Sequence, residues 1–100
     1  MENENIKSIV EEVKEYLNIT WIEEDAKIEK MVVRGINYLE NEIAGIALDF
    51  KDNFNRELLF NYCRYVRNNA IEYFEENFSK ELFRLQIKSA ANEVTKIWKK

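Results

Sequence analysis

Apolar residues recur at three- and four-residue spacing along most of the chain, a period that predicts helices. Ile6, Ile9, Val10, Val13, Tyr16 and Leu17 make the first stripe, with Glu11, Glu12, Lys14 and Glu15 opposite, so a helix is expected over 6–17. Asn18-Ile19 interrupts the pattern. Thr20 followed by Glu23 reads as a capping box, in which hydroxyl and carboxylate satisfy each other's backbone N–H groups. From there a long helix is expected to run to Ala44, with Gly45 ending it in a left-handed conformation. Its seam is Val32, Ile36, Leu39 and Ile43, widened by Ile28, Met31 and Val33. Gly35 lies inside that helix at a cost of about 1 kcal/mol relative to alanine. Close packing of a neighbouring helix is one reason for it, a hinge the other.

The period changes at 46–52, where Ile46, Leu48 and Phe50 alternate with Ala47, Asp49 and Lys51. One such stretch cannot form a sheet within the chain, so it is expected to be an ordered connector with its apolar side packed down, unless it pairs with a neighbouring copy. A third helix is expected over 54–76, with Leu59, Tyr62, Val66, Ala70 and Tyr73 as its stripe. Phe60, Cys63, Ile71 and Phe74 broaden the stripe into the wide arc of a central helix. A last helix is expected from Ser79, as its N-cap, to the basic end Lys96-Ile97-Trp98-Lys99-Lys100. Its apolar positions are Leu82, Leu85, Ile87, Ala90, Ala91, Val94, Ile97 and Trp98.

Composition sharpens this into an all-α fold: a small helical bundle of about four helices forming a single domain over residues 1–100. Proline is absent and glycine occurs only twice, although turns and strands depend on both. With 46% apolar and 34% charged residues the chain can build a core. No apolar run is long enough for a membrane span, so no membrane is expected as a partner. The acidic start, Met1-Glu2-Asn3-Glu4-Asn5, is unlike a secretion signal. Cys63, without a second cysteine to pair with, falls inside an apolar helical pattern and reads as a core residue rather than a reactive thiol.

Chemistry is sparse. Histidine is absent, which removes the commonest general base and metal ligand. Acid pairs such as Glu23-Glu24 and Glu75-Glu76 are adjacent on a helix and diverge, while Glu11 and Glu15 share a solvated face. No metal-ligand spacing, phosphate-binding glycine loop or activated nucleophile is present, so neither catalysis nor a cofactor is expected. Arg56, Arg64, Arg67, Arg84 and Lys88 make only a weak case for nucleic acid against a pI of about 5.0. Charge is uneven. Residues 1–50 hold 12 acids and 5 bases, a balance of −7, and residues 51–100 hold 7 acids and 10 bases, a balance of +3. Either the two ends attract neighbouring copies or the imbalance is carried on solvated faces. Arg67 has Phe60, Cys63, Arg64, Ala70, Ile71 and Phe74 as helical neighbours, a largely apolar surround. It must therefore snorkel, pair with a carboxylate of its own chain, or pair with one from a neighbouring subunit.

The order of segments carries a resemblance. A short helix ends in Val13-Lys14-Glu15-Tyr16-Leu17, and the acidic start Glu23-Glu24-Asp25 follows. A long helix then holds Tyr38-Leu39-Glu40-Asn41 ahead of Gly45, and after a short connector comes Arg56-Glu57-Leu58-Leu59-Phe60-Asn61-Tyr62-Cys63-Arg64-Tyr65-Val66-Arg67-Asn68. Over residues 6–78 this resembles the head–tail connector (adaptor) family of tailed bacteriophages and prophages. Tyr65-Val66-Arg67-Asn68 stands where many members have a Tyr-Glu-Asn-Arg-like segment. The resemblance implies a structural subunit that forms a homo-oligomeric ring beneath the portal protein. That ring would join the capsid to tail-completion proteins and extend a channel through which DNA passes without sequence-specific binding. It places the protein at the head–tail junction of the virion, and in the host bacterial cytoplasm during assembly. Arg64, Arg67 and Trp98 are the candidate subunit-interface residues. The other expectation is a small helical regulator or adaptor that binds a partner protein.

Overall fold

The computed structural model describes residues 3–98, with side chains from Asn5 to Asn92. Every regular element among them is helical. Helix α1 spans Asn3–Tyr16 and α2 spans Asp25–Asn37, the latter continuing without a break as a π-helical segment, Tyr38–Ala44. After the connector come α3 (Asn53–Arg67), a 3-10 turn (Ile71–Tyr73), the four-residue α4 (Phe74–Asn77) and α5 (Ser79–Trp98). There are thus five α-helices where about four were expected, because the helix expected over 54–76 is divided.

The division has a local cause. Asn69 adopts φ +55°, and the Ala70 N–H reaches back to the Tyr65 carbonyl while the Asn69 N–H reaches that of Val66. This paired pattern closes a helix around one left-handed residue, and asparagine tolerates that conformation better than most. The same device ends α1: Asn18 has φ +59°, with bonds from Ile19 N to Lys14 O and from Asn18 N to Glu15 O. Gly45 ends the π segment with φ +73°, as the sequence indicates.

The capping box does not form. Helix α2 starts at Asp25 with Glu24 in the cap position and no side-chain cap bond. Both acids are engaged by distant cations instead: Lys14 Nζ lies 2.7 Å from Asp25 Oδ1, and Arg67 holds Glu24. Lys14, expected on the solvated face of α1, is consequently buried. Its pKa is raised, first by the hydrogen bond to Asp25, with burial opposing. Ser79 is the first residue of α5, so the cap position falls to Phe78, whose carbonyl accepts from Leu82 N. A true cap stands at α3, where Asp52 Oδ1 accepts from the N–H groups of Phe54 at 2.9 Å and Asn55 at 3.3 Å.

Helices α1, α2 and α3 pack together, and α4 and α5 fold back so that α5 lies against the π segment. The core runs through Ile9, Val10, Val13, Ile28, Val32, Ile36, Leu39, Leu58, Leu59, Cys63, Phe74, Leu82 and Leu85. The seam Val32, Ile36 and Leu39 is buried as expected, with Ile28 buried and Met31 and Ile43 partly buried beside it, but Val33, expected to widen it, turns to solvent. On α3 the inward line differs. Leu59 is buried, Tyr62, Val66 and Ala70 are half-buried, and Tyr73 is exposed, because the chain has left the helix before reaching it. Burial pushes the Cys63 thiol up to about 12, consistent with a core residue.

Gly35 lies where α2 meets α3. A Cβ there would come within 2.6 Å of Leu59 Cδ1 and 2.9 Å of Tyr62 Cδ1, so close packing is the reason for the glycine. The connector is ordered, with Phe50 buried and its backbone held by side chains. Glu40 Oε2 accepts from Leu48 N at 2.8 Å, Asn55 Nδ2 donates to Asp49 O at 3.0 Å, and Arg56 Nε donates to Phe50 O at 3.1 Å.

Candidate functional site

Of the three residues singled out at subunit contacts, Arg67 has an intrachain partner. Its Nη1 and Nη2 donate to Glu24 Oε1 and Oε2 at 3.0 and 3.4 Å, tying the end of α3 to the start of α2. The Trp21 indole N–H donates to the same carboxylate. These two bonds, Arg67's first, hold Glu24 below the ordinary carboxylate range. A lowered carboxylate pKa stabilises the fold above the unfolded value, about 4.3, and that stabilisation is lost as pH falls through the folded value. Arg67→Ala should therefore melt below the wild type at neutral pH, with the gap closing as pH falls below that range. Thermal melts across the acid range check this, and a gap that stays constant into strong acid would show that the ion pair contributes nothing.

Arg64 is exposed. Its Nη2 donates to Asn61 Oδ1 at 2.8 Å, and its guanidinium carbon lies 5.2 Å from the Tyr65 ring centroid. Trp98 ends α5, and its side chain lies outside the described residues. The three residues are thus not gathered into one site by any contact among the described side chains.

Two other surfaces stand out, and periodicity alone did not isolate either. The first is the outer face of α5. Its inner line is Leu82, Leu85 and Ser89, all buried. One residue further round, Phe83 and Ile87 are 61% and 54% exposed. They sit one turn apart, beside Lys80 and Arg84 at the same spacing. Ile87 is among the apolar positions that mark this helix in the sequence, and Phe83 is not. Helix α5 packs against the π segment and α4.

The second surface is an aromatic groove of about 290 Å³, lined by Tyr38, Tyr62, Ile71, Glu72, Phe74 and Glu75. Its floor is the Tyr38–Tyr62 stack, with centroids 5.4 Å apart, set edge-on to Phe74. The wide turn at Tyr38 and the short α4 converge here, joined by the Tyr38 hydroxyl, which donates to Glu75 Oε1 at 2.7 Å. Burial, then Glu75, raises the Tyr38 pKa. Glu72 and Glu75 line this groove, and Glu42 is exposed four residues beyond Tyr38 on the π segment. Ile71 and Tyr73 beside it are exposed. Among the described residues, no ion pair engages any of these acids, nor Lys80 or Arg84.

Comparison with protein-family models, curated proteins and solved structures finds no match to this chain. Among the described residues no group of His, Cys, Asp and Glu is placed to hold a metal ion, and no helix is long and apolar enough to cross a membrane.

Proposed function

We propose that this chain is a structural subunit of the head–tail connector (adaptor) type. It assembles as a homo-oligomeric ring beneath a phage or prophage portal and joins the capsid to tail-completion proteins. The observation that carries the reading is an all-helical frame with a fully formed core that still leaves large apolar side chains in water. Trp21, Ile22, Tyr73, Phe83 and Ile87 are all exposed, Ile22 by 75%. A few such side chains are ordinary, but apolar groups on several faces of so small a domain suit one that is covered by other chains on more than one side. A ring demands that property, since each copy meets its neighbours through two different surfaces. Arg64, Arg67 and Trp98 belong to this reading as contact residues, with Arg67 also bracing the fold through Glu24.

Sedimentation of the purified chain, alone and with portal particles, tests the reading together with electron micrographs. Rings, free or docked on the portal, are expected. A monomer that ignores portal particles but binds an isolated amphipathic helix in the Tyr38–Tyr62 groove would replace it with a regulatory adaptor.

A further inference from the structure

We infer that the outer face of α5 is the surface through which one copy grips the next, and that it seats in the acidic aromatic groove of that second copy. The inference rests on the assembly reading above and names the two surfaces that meet. Each surface is incomplete alone. Phe83 and Ile87 form an apolar ridge on a helix whose Leu82 and Leu85 are already buried, and no described residue covers that ridge. The groove between Tyr38, Tyr62, Ile71 and Phe74 offers an apolar floor open to solvent.

Charge decides the pairing. The ridge is flanked by Lys80 and Arg84, whereas Glu72 and Glu75 line the groove and Glu42 stands exposed four residues beyond Tyr38. Two copies meeting ridge to ridge would set bases against bases, and groove to groove would set acids against acids. Ridge to groove alone brings opposite charges together around an apolar centre, the arrangement that fixes partner choice and register at an interface. The two surfaces differ, so the contact is heterologous and can propagate around a closed ring. The whole-half imbalance of −7 and +3 conceals this, because the acids of 72–76 lie within the basic half of the sequence.

The test is a charge swap read by sedimentation at concentrations up to about 1 mM. Lys80→Glu with Arg84→Glu reverses the ridge, and Glu72→Lys with Glu42→Lys reverses a lining acid and the exposed acid four residues beyond Tyr38 without touching the Tyr38–Glu75 bond. All four positions are exposed, so circular dichroism should show both double variants folded. Each double variant alone should lose at least tenfold in self-association. A chain carrying all four changes should regain it, as should an equimolar mixture of the two double variants. Wild-type assembly that is indifferent to both reversals overturns these surfaces and leaves the ring reading standing. Loss in each double variant without recovery in the fourfold variant also overturns the pairing. A wild type that remains monomeric throughout, and does not assemble on portal particles, overturns the inference and the ring reading together.

Discussion

Replacing Phe74 by alanine is expected to lower the unfolding free energy by about 3–5 kcal/mol, the range for emptying a buried aromatic site. Phe74 is fully buried on a helix of only four residues, so its place depends almost wholly on packing. Its ring stacks on Phe78 at 4.9 Å and meets Tyr62, Tyr65 and Tyr38 edge-on at 5.7, 5.6 and 6.2 Å. It is the common member of the cluster that joins the π segment, α3 and the residue just before α5. Such pairs contribute about 0.5–1.5 kcal/mol beyond area burial, so the loss should fall in the upper part of the range. A domain of this size has about 5–15 kcal/mol to lose. Denaturant titration of Phe74→Ala beside Tyr73→Ala, an exposed neighbour, measures the difference. A loss for Phe74 under about 1 kcal/mol, the range of surface sites, would mean that the cluster does not organise the second half of the fold.

What could be read from the sequence follows the range of the forces involved. Helices α1 and α2 and the seam Val32–Ile36–Leu39 were legible because period and burial coincide over most of their length, the exceptions being Lys14, which is buried, and Tyr16 and Val33, which are exposed. So was the stop at Gly45, where the residue type itself carries the left-handed conformation. Asn69 ends a helix just as firmly, but asparagine is common in helices and the apolar spacing continues past it through Ile71 and Phe74. Periodicity therefore joined α3, the 3-10 turn and α4 into one helix. At Thr20 and Glu23 the local signal for a cap was present and lost to tertiary contacts, because Arg67 and Lys14 reach the acids at 24 and 25 and set the helix start there. On α5 the spacing is compatible with two apolar faces, and only the position of the π segment decides that Leu82 and Leu85 turn inward. The ridge at Phe83 and Ile87 is what remains, so the candidate surface became visible only with the fold. Arg67 was legible as unusual, and its partner, 43 residues away, was not.

Gly35 gives the second large effect, and its sign is opposite to what helix propensity alone suggests. Alanine in place of an interior helical glycine gains about 1 kcal/mol. Here the added Cβ would stand 2.6 Å from Leu59 Cδ1 and 2.9 Å from the Tyr62 ring, well inside contact distance. Leu59 is fully buried, so it cannot swing away without opening a void. Tyr62 is fixed by its stack on Tyr38. Overpacking of this kind costs about 1–3 kcal/mol, so Gly35→Ala should fail to stabilise and should be net destabilising by up to about 2 kcal/mol. Leu59→Ala alone should cost about 2–5 kcal/mol through the cavity it leaves. The two changes together should cost less than their sum, because the alanine methyl enters space that the leucine has vacated. The cycle of wild type, two single variants and the double variant, measured by denaturant titration, reads that coupling directly. A favourable coupling of about 1 kcal/mol or more would locate the clash at the Leu59 methyl. Additivity within about 0.5 kcal/mol would show that α2 and α3 can move apart, and that close approach is not why glycine stands at this position.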